Sequence, residues 1–375
     1  MFLHSIKNRY CLLRGLVNGR IAHSDPIFID IDITNRCNLR CIGCIYHSPE
    51  ITHLDLQNDA RHDISLNTVY RLASELDSRR TPLIVLQGAG EPLLHPRIDK
   101  IIAVLKEQGF RVTVITNGTL LAPEMNRRLI DSGLDVLKVS VWALTPDQYM
   151  KNYPGSNPEN YAAIDRALQD LISQKSSRSS RLPRLHLYIP INRYNYDSLD
   201  KTVTLAEKWQ AENIVFAPMA DITDELAESI LTEQEEMVVL RKLKEIKKIL
   251  NSRGISEETD LTLLRYRLKD ELWKYIPCTI AWYHARIRTD GSVQSCGRCD
   301  AEVIFGNVNK SSFRDIWNGP EIQNFRYQRL WQLRNSYWKE HCACKTCCFV
   351  KDMNRINNVF KWIKPVIRPL RGLLS

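Results

Sequence analysis

The chain has 375 residues, a formal net charge of +9 at pH 7 and 44% hydrophobic residues, which is an ordinary composition for a folded globular protein. This length accommodates a barrel-sized domain and a smaller second domain. The chain contains 11 cysteines, which lie mostly at short, metal-ligand spacings. In so large a chain they favour metal ligation over a disulfide framework, and therefore a reducing cytoplasm over secretion.

Charge and hydropathy argue against two classes of protein. Much of the positive charge lies in residues 351–375, without the interleaved aromatic residues typical of nucleic-acid binding. No window approaches 18 uninterrupted apolar residues, and residues 1–19 lack the apolar core of a signal peptide. We therefore expect a cytoplasmic protein that neither binds nucleic acid nor spans a membrane.

Residues 1–25 predict a helical lead-in that ends at Asp25-Pro26, and from Ile27 onward strand-like and helix-like segments alternate. The predicted strands are 27–33, 83–87, 111–116, 136–141, 184–190 and 213–217. The predicted helices lie near 66–79, 97–108, 122–131, 159–174 and 197–210. This alternation indicates an α/β fold with six βα units and a parallel sheet.

Three cysteines, Cys37, Cys41 and Cys44, follow the first predicted strand within one short loop. Thiolates at this spacing can ligate three irons of a [4Fe-4S] cluster and leave the fourth iron open for a substrate or cofactor. A zinc knuckle or three reduced thiols are the alternatives.

The CxxxCxxC loop after a first strand resembles that of the radical S-adenosylmethionine (radical SAM) superfamily. The resemblance implies a partial (β/α)6 TIM-like barrel, whose open iron binds S-adenosylmethionine (SAM). It also implies cleavage of SAM by one electron to a 5'-deoxyadenosyl radical, with a donor such as flavodoxin or ferredoxin. One residue departs from the pattern, because the superfamily often has an aromatic residue where this chain has Gly43.

Polar or glycine-rich segments follow the next strands, at the carboxyl edge where parallel sheets place their active sites. The turn from Gly88 to Glu91 resembles the GGE motif of the superfamily, which implies that Gly88, Gly90 and Glu91 lie near the amino group of SAM. Asn117 and Ser140 resemble positions that reach the ribose or carboxylate of SAM, although ordinary polarity at strand ends would also explain them.

The second half of the chain divides into a bridge, 223–274, and a cysteine-rich segment, 275–350. The bridge has Glu, Lys and Leu at helical spacing, with its charges on a solvated face. In the cysteine-rich segment, a hairpin that turns at Asp290-Gly291 would bring Cys278 and Cys296 toward one site.

This segment resembles the SPASM and twitch domains that follow radical SAM barrels, from its cysteine spacing and a late CxxC pair. The resemblance implies that Cys278, Cys296, Cys344 and Cys347 hold one auxiliary [4Fe-4S] cluster. A four-cysteine zinc ribbon is the alternative, and the crowding of the last cysteines disfavours two auxiliary clusters. The remaining thiols would be buried as small apolar groups: Cys11, Cys299, Cys342 and Cys348.

The predicted domains are the lead-in 1–25, the barrel 26–222, the bridge 223–274, the auxiliary domain 275–350 and a basic amphipathic tail 351–375. Pro365 and Pro369 interrupt any helix in the tail, which favours docking on the protein itself or disorder. Contact of the tail with an anionic membrane surface is the alternative.

The resemblance implies an enzyme that abstracts a substrate hydrogen, and we expect oxidation or epimerisation of a small polar substrate, sugar-like or lipid-linked. The 25 residues before the first strand leave no room for a leader-binding domain, which disfavours the alternative of a peptide maturase. A non-enzymatic iron-sulfur or zinc scaffold is the third reading. The candidates for a catalytic base, chosen by position near strand ends or the cluster, are His47, His53, Tyr188, Arg193, Tyr283 and His284.

Overall fold

A computed structural model describes residues 6–49, 62–219, 224–268, 277–297 and 303–331, together with Met353 and Ile356. The chain forms two compact units. The larger unit comprises Asp32–Asp63 and Val85–Arg267, and the smaller unit comprises Met1–Ile31, Ile64–Ile84 and Leu268–Ser375.

The strands and helices alternate along most of the described chain. The strands are β1 (Phe28–Asp32), β2 (Leu83–Gln87), β3 (Arg111–Thr116), β4 (Val136–Ser140), β5 (Arg184–Ile191), β6 (Asn213–Pro218), β7 (Ser256–Glu257), β8 (His284–Ile287) and β9 (Val293–Gln294). The helices are α1 (Ile6–Asn18), α2 (Leu66–Glu75), α3 (Ile98–Glu107), α4 (Pro123–Asp131), α5 (Pro146–Asn152), α6 (Pro158–Ser177), α7 (Lys201–Lys208), α8 (Glu233–Ser252), α9 (Thr259–Leu268), α10 (Phe313–Trp317) and α11 (Pro320–Trp331).

The larger unit is built on a parallel sheet whose strand order is β7-β6-β5-β4-β3-β2. The neighbouring pairs from β3 to β7 are parallel, with Val139 opposite Leu187 and Leu187 opposite Ile214. These three side chains are almost wholly buried, because every second residue of each strand faces the apolar core. Within the described residues this order is open at β7. The predicted fold class, an α/β partial barrel, is confirmed.

The segment predicted as a bridge contains a helix whose beginning is fixed locally. Thr232 and Glu235 form a capping box, in which each side chain accepts a hydrogen bond from the backbone of the other residue. The buried stripe of α8 includes Val239 and Leu243, as helical spacing predicts. After α8 the chain adds β7 beside β6, so this segment also extends the sheet, which the sequence analysis did not predict.

The smaller unit contains β1, β8 and β9, in the order β1-β8-β9. Strand β8 is parallel to β1, and β9 returns antiparallel to β8. The predicted turn at Asp290-Gly291 is confirmed, since Gly291 has a φ of +86° and its N–H donates to the Arg288 carbonyl at 2.9 Å. The hairpin therefore brings the segment after β9 back past the start of β8.

A buried arginine ties α11 into the smaller unit. The Arg326 guanidinium donates to the carbonyl oxygens of Ala281 at 2.9 Å and Arg20 at 3.1 Å, and to Asn318 Oδ1 at 3.0 Å. It also lies 4.6 Å from the centroid of the Trp317 ring. Burial lowers the pKa of Arg326 to about 9, which reflects the cost of burying its charge. The three acceptors offset part of that cost.

Candidate active site

The loop that carries Cys37, Cys41 and Cys44 begins just after β1 and forms a compact arc. The Cys44 N–H donates to the Cys41 carbonyl at 3.1 Å, and the Ser48 N–H donates to the Cys44 carbonyl at 3.0 Å. The Ser48 hydroxyl also donates to the Ile42 carbonyl at 2.5 Å. These bonds lie within the loop itself, and they fix the backbone around the second and third thiols.

The glycine-rich turn after β2 packs directly on the backbone that leads into this loop. A Cβ atom on Gly88 would lie 2.5 Å from the Thr34 carbonyl oxygen, and one on Gly90 would lie 2.1 Å from the Arg36 carbonyl oxygen. The Glu91 N–H donates to that same Arg36 oxygen at 2.7 Å. Both glycines are therefore required for close backbone approach, here to the cysteine loop itself.

Glu91 joins the ends of β2 and β3 through a buried carboxylate. Its Oε1 accepts from the Thr116 hydroxyl at 2.7 Å and from the Leu93 N–H at 3.0 Å, and its Oε2 accepts from the Asn117 N–H at 2.7 Å. Burial raises the pKa of Glu91, although the three donors counteract that shift. The carboxylate thus holds the β3 turn in place against the glycine-rich turn.

The turn after β3 contacts the cysteine loop through amide side chains. The Asn117 Nδ2 donates to Asn38 Oδ1 at 3.0 Å, and the Asn38 Nδ2 donates to the Thr119 hydroxyl at 2.8 Å. Because Asn38 is adjacent to Cys37, these bonds fix the position of the first thiol. The structure thereby places Asn117 beside the cysteine loop.

The ends of β4 and β6 fill the space beside Gly43 with large side chains. A Cβ atom on Gly43 would lie 2.6 Å from Met219 Cε and 2.9 Å from Trp142 Cη2. Trp142 packs with Ile42 and Met219 in one apolar cluster, and its indole N–H donates to the Ser140 hydroxyl at 3.1 Å. Gly43 itself carries no aromatic side chain, and the aromatic side chain next to it comes from Trp142, which follows β4.

Helix α5 supplies another anchor, and the sequence analysis missed it. The Ile42 N–H donates to the Asn152 carbonyl at 3.1 Å, and Asn152 Oδ1 accepts from the Asn192 side chain at 2.6 Å. The signal for this helix was available, since Thr145 is a capping residue and Pro146 suits a first turn.

The electrostatics of the loop keep its thiols protonated in the absence of a metal. Burial raises the pKa of Cys37 to about 11, and the Cys44 and Glu91 charges add to that shift. Burial also raises the pKa of Cys41 and of Cys44, and the neighbouring thiolates repel a charge on Cys41. Ionising all three thiols here needs a cationic group, such as the irons of a cluster, so the donor set fits a [4Fe-4S] cluster.

In the described part of the chain, no group of three or more His, Cys, Asp or Glu residues is arranged to hold a single metal ion. Thiolates that bind different irons of a cubic cluster lie farther apart than the ligands of one ion.

The candidate bases occupy different surroundings. His47 Nε2 lies 2.6 Å from the Ala89 carbonyl oxygen, and Tyr188, within β5, is the register partner of Ser140, the last residue of β4. Arg193 Nε donates to Glu235 at 3.2 Å, on the cap of α8. His284 is fully buried at the beginning of β8, with Nδ1 2.7 Å from the Ser295 carbonyl oxygen.

Among the remaining base candidates, Tyr283 is fully buried directly before β8, and His53 lies outside the described residues.

Of the four cysteines predicted to hold the auxiliary cluster, Cys278 and Cys296 are both buried in the smaller unit. Burial raises the pKa of Cys278, and the Arg329 charge opposes this shift. The other predicted ligands, Cys344 and Cys347, lie outside the described residues, as does the tail apart from Met353 and Ile356.

Among the described helices, none combines the length and apolar character needed to cross a membrane.

Comparison with known proteins agrees with this geometry. Residues 31–206 match the model of the radical SAM superfamily, and residues 278–348 match that of an iron-sulfur cluster-binding domain, SPASM. Iron-sulfur clusters and SAM are the cofactors of these two domains, as predicted.

Two curated proteins are similar along most of the chain. One is the tungsten-containing aldehyde ferredoxin oxidoreductase cofactor-modifying protein of Pyrococcus furiosus, 25% identical over 87% of this chain and 88% of its own length. The other is the antilisterial bacteriocin subtilosin biosynthesis protein AlbA of Bacillus subtilis, 22% identical over 90% of this chain and 71% of its own length.

A solved structure shares the fold. SuiB of Streptococcus suis, bound to S-adenosylmethionine, superposes with a TM-score of 0.62 at 15% identity, over 88% of this chain and 74% of its own. The matches to these two family models agree with the cysteine loop and the parallel sheet, and they identify the chain as a radical SAM enzyme with a SPASM domain. The chain belongs to the radical SAM superfamily.

Proposed function

We propose that Cys37, Cys41 and Cys44 hold the SAM-binding [4Fe-4S] cluster of this enzyme. The observation that carries the proposal is the fixed position of their loop, which is held by residues from the ends of β2, β3, β4 and β6 and from α5. All of these strand ends lie at the carboxyl edge of a parallel sheet, where helix amino termini and loops converge.

When bound, the cluster and SAM supply a 5'-deoxyadenosyl radical that abstracts a hydrogen atom from the substrate. The residues of this chain position that chemistry. Gly88, Gly90 and Glu91 hold the cysteine loop against the β2 and β3 ends, and Asn117 binds Asn38 beside the first thiol. The Ser140 hydroxyl accepts from Trp142 and keeps its own proton to donate toward the cofactor.

For the second cluster, we propose Cys278 and Cys296 together with Cys344 and Cys347. The buried thiols of the first pair and the hairpin that returns the chain toward Cys278 support this set. The cluster would accept an electron from a substrate radical or orient the substrate. Iron, sulfide and zinc counts per chain would distinguish one auxiliary cluster, two auxiliary clusters and a zinc ribbon.

The proposed substrate is small and polar, sugar-like or lipid-linked, and the proposed outcome is oxidation or epimerisation. The faces of β4 and β5 that point away from the buried apolar rows support a polar substrate, because they carry Lys138, Ser140, His186 and Tyr188, all half-buried. Tyr188 stands beside Ser140 in register, which makes it the best placed of the candidate bases for proton removal.

A peptide substrate is the second candidate, because AlbA is by its name a bacteriocin biosynthesis protein and similar along 90% of this chain. The two candidates are separated by measuring how far small polar alcohols and short peptides stimulate the release of 5'-deoxyadenosine above the rate without substrate.

The test of the reaction is anaerobic reconstitution with iron, sulfide, dithionite and SAM. We expect release of 5'-deoxyadenosine, lost when Cys37, Cys41 and Cys44 are all changed to Ala, and supported by reduced flavodoxin or ferredoxin in place of dithionite. Protein with fully loaded clusters that releases no 5'-deoxyadenosine would reject this function and favour a non-enzymatic scaffold.

A further inference from the structure

The indole ring of Trp142 lies against the part of the cysteine loop between the second and third thiols. A Cβ atom on Gly43 would lie 2.9 Å from Cη2 and 3.0 Å from Cζ3 of this ring. The indole therefore takes up the space that a side chain at position 43 would otherwise fill. Because Gly43 directly precedes Cys44, the ring contacts the backbone that carries a proposed cluster ligand.

Hydrogen bonds at three points fix the orientation of this tryptophan. Its indole N–H donates to the Ser140 hydroxyl at 3.1 Å. Its backbone N–H donates to the Tyr153 hydroxyl at 3.2 Å, and its carbonyl accepts from the Asn195 side chain at 2.9 Å. The ring is thus held in place before any ligand binds, which lowers the entropic cost of a contact with it.

Trp142 is only half-buried, although it packs with the buried side chains of Ile42 and Met219. Trp209, in the same unit, shows how a tryptophan of the core differs: it is 2% exposed, and its indole N–H donates to Asp165 at 2.7 Å. Part of Trp142 therefore stays accessible at the carboxyl edge of the sheet, on the side of β4 that carries Ser140.

The ligand that suits an accessible, fixed indole beside this loop is a flat aromatic group. SAM carries one such group, its adenine, in addition to the amino and carboxylate groups of its methionine part. Bases stack on the faces of aromatic side chains, and tryptophan offers the largest such face.

We propose that the Trp142 indole stacks on the adenine of bound SAM, and that it supplies from the end of β4 an aromatic contact for which the loop, with Gly43, has no side chain. The inference rests on the proposed function, because it requires that SAM binds at the cluster held by the cysteine loop. Trp142 is in this sense a cofactor-binding residue.

The experiment measures the Kd of SAM by anaerobic equilibrium dialysis, with reconstituted protein in its oxidised state, in which SAM binds without being cleaved. Trp142→Leu is expected to raise this Kd roughly tenfold, because it removes the stacking surface. Trp142→Phe keeps a ring and should raise the Kd by less than about threefold. Trp209→Phe is the matched control and should leave the Kd unchanged.

Two comparisons separate the loss of stacking from damage to the loop. L-Methionine has the amino and carboxylate groups of SAM but no adenine, so Trp142→Leu should leave its Kd unchanged. Gly43→Phe in the Trp142→Leu protein should lower the Kd of SAM again, because the new ring enters the space beside the loop that the indole occupied.

Photolabelling of the wild-type protein needs no variant and therefore does not depend on how well a variant folds. An analogue of SAM with an azide on its adenine, bound to reconstituted protein and irradiated, should label Trp142, as located by mass spectrometry of the peptides. Label that is confined to other residues, such as Tyr194 of the same apolar cluster, would overturn the inference.

Equal Kd values of SAM in wild-type and Trp142→Leu protein would also overturn it and leave the proposed function intact. The same holds if Trp142→Leu weakens SAM and L-methionine equally, since the substitution would then act on the loop and not on adenine. Failure of the wild-type protein with a loaded cluster to bind SAM would overturn both the inference and the proposed function.

Discussion

Substituting alanine for Gly90 tests whether the glycine-rich turn exists to seat the cysteine loop. A Cβ atom at this position would lie 2.1 Å from the carbonyl oxygen of Arg36, 2.6 Å from its carbonyl carbon and 2.7 Å from its nitrogen. All three atoms belong to the backbone, so no side-chain rotation can relieve the contact. Either the turn after β2 or the residues leading to Cys37 must move.

The expected cost follows from these distances. Overpacking a well-ordered interior costs about 1–3 kcal/mol, and a contact with fixed backbone belongs at the upper end of that range. Moving the two segments apart also strains the bond from the Glu91 N–H to the Arg36 carbonyl, now 2.7 Å long, which contributes about 1 kcal/mol. We therefore expect Gly90→Ala to lose roughly 3–4 kcal/mol of unfolding free energy.

The assay has two parts, denaturant unfolding of cluster-free protein and iron and sulfide content after anaerobic reconstitution. Gly155→Ala is the matched control, because no heavy atom lies within 4 Å of a Cβ atom there and its φ of +84° costs an alanine only about 1–2 kcal/mol. Gly90→Ala should lose most of its cluster at Cys37, Cys41 and Cys44, and Gly155→Ala should retain it. Stability within about 0.5 kcal/mol of wild type, with full cluster loading, would refute the reasoning.

Three other outcomes are expected. Glu91→Gln keeps the side-chain shape but turns an amide N–H₂ toward donors such as the Asn117 N–H. It should therefore destabilise the protein by about 1–3 kcal/mol, measured by denaturant unfolding. An unchanged unfolding midpoint would show that the carboxylate is dispensable. His186 has a pKa lowered to about 4 by burial and by the nearby charges of Lys138 and Arg184, so the unfolded state binds its proton first as pH falls. The free energy of unfolding should therefore decline between about pH 6.5 and pH 4, by on the order of 1–2 kcal/mol after allowance for partial exposure. His186→Gln should remove that decline. An identical pH profile of stability in the variant would contradict the assignment. Gly43→Ala should cost about 1–3 kcal/mol through contact with Trp142, and Trp142→Leu in the same chain should recover part of it; strictly additive effects in this double-mutant cycle would mean that the two sites are not in contact.

Much of the sheet was predictable because strand signals are local. The predicted second and third strands, 83–87 and 111–116, coincide with β2 and β3, and the others differ from the observed strands by a residue or two at their ends. Short apolar segments between turn residues carry that information within a few positions. Strands β8 and β9 form the predicted hairpin, whereas the two-residue strand β7 was not predicted, because a strand of that length has no periodicity to detect.

The cysteine spacing and the order of the strands that carry the polar residues are local features of the chain, and they predict the family and the class of chemistry. Those features are properties of neighbouring residues, so they can be read from the chain. The way the loop is held depends on tertiary contacts: Trp142 and Met219 fill the space at Gly43, and α5 bonds to Ile42. These contacts join residues far apart in the chain, and only the packing of the parallel strands brings their carboxyl ends to the same edge of the sheet.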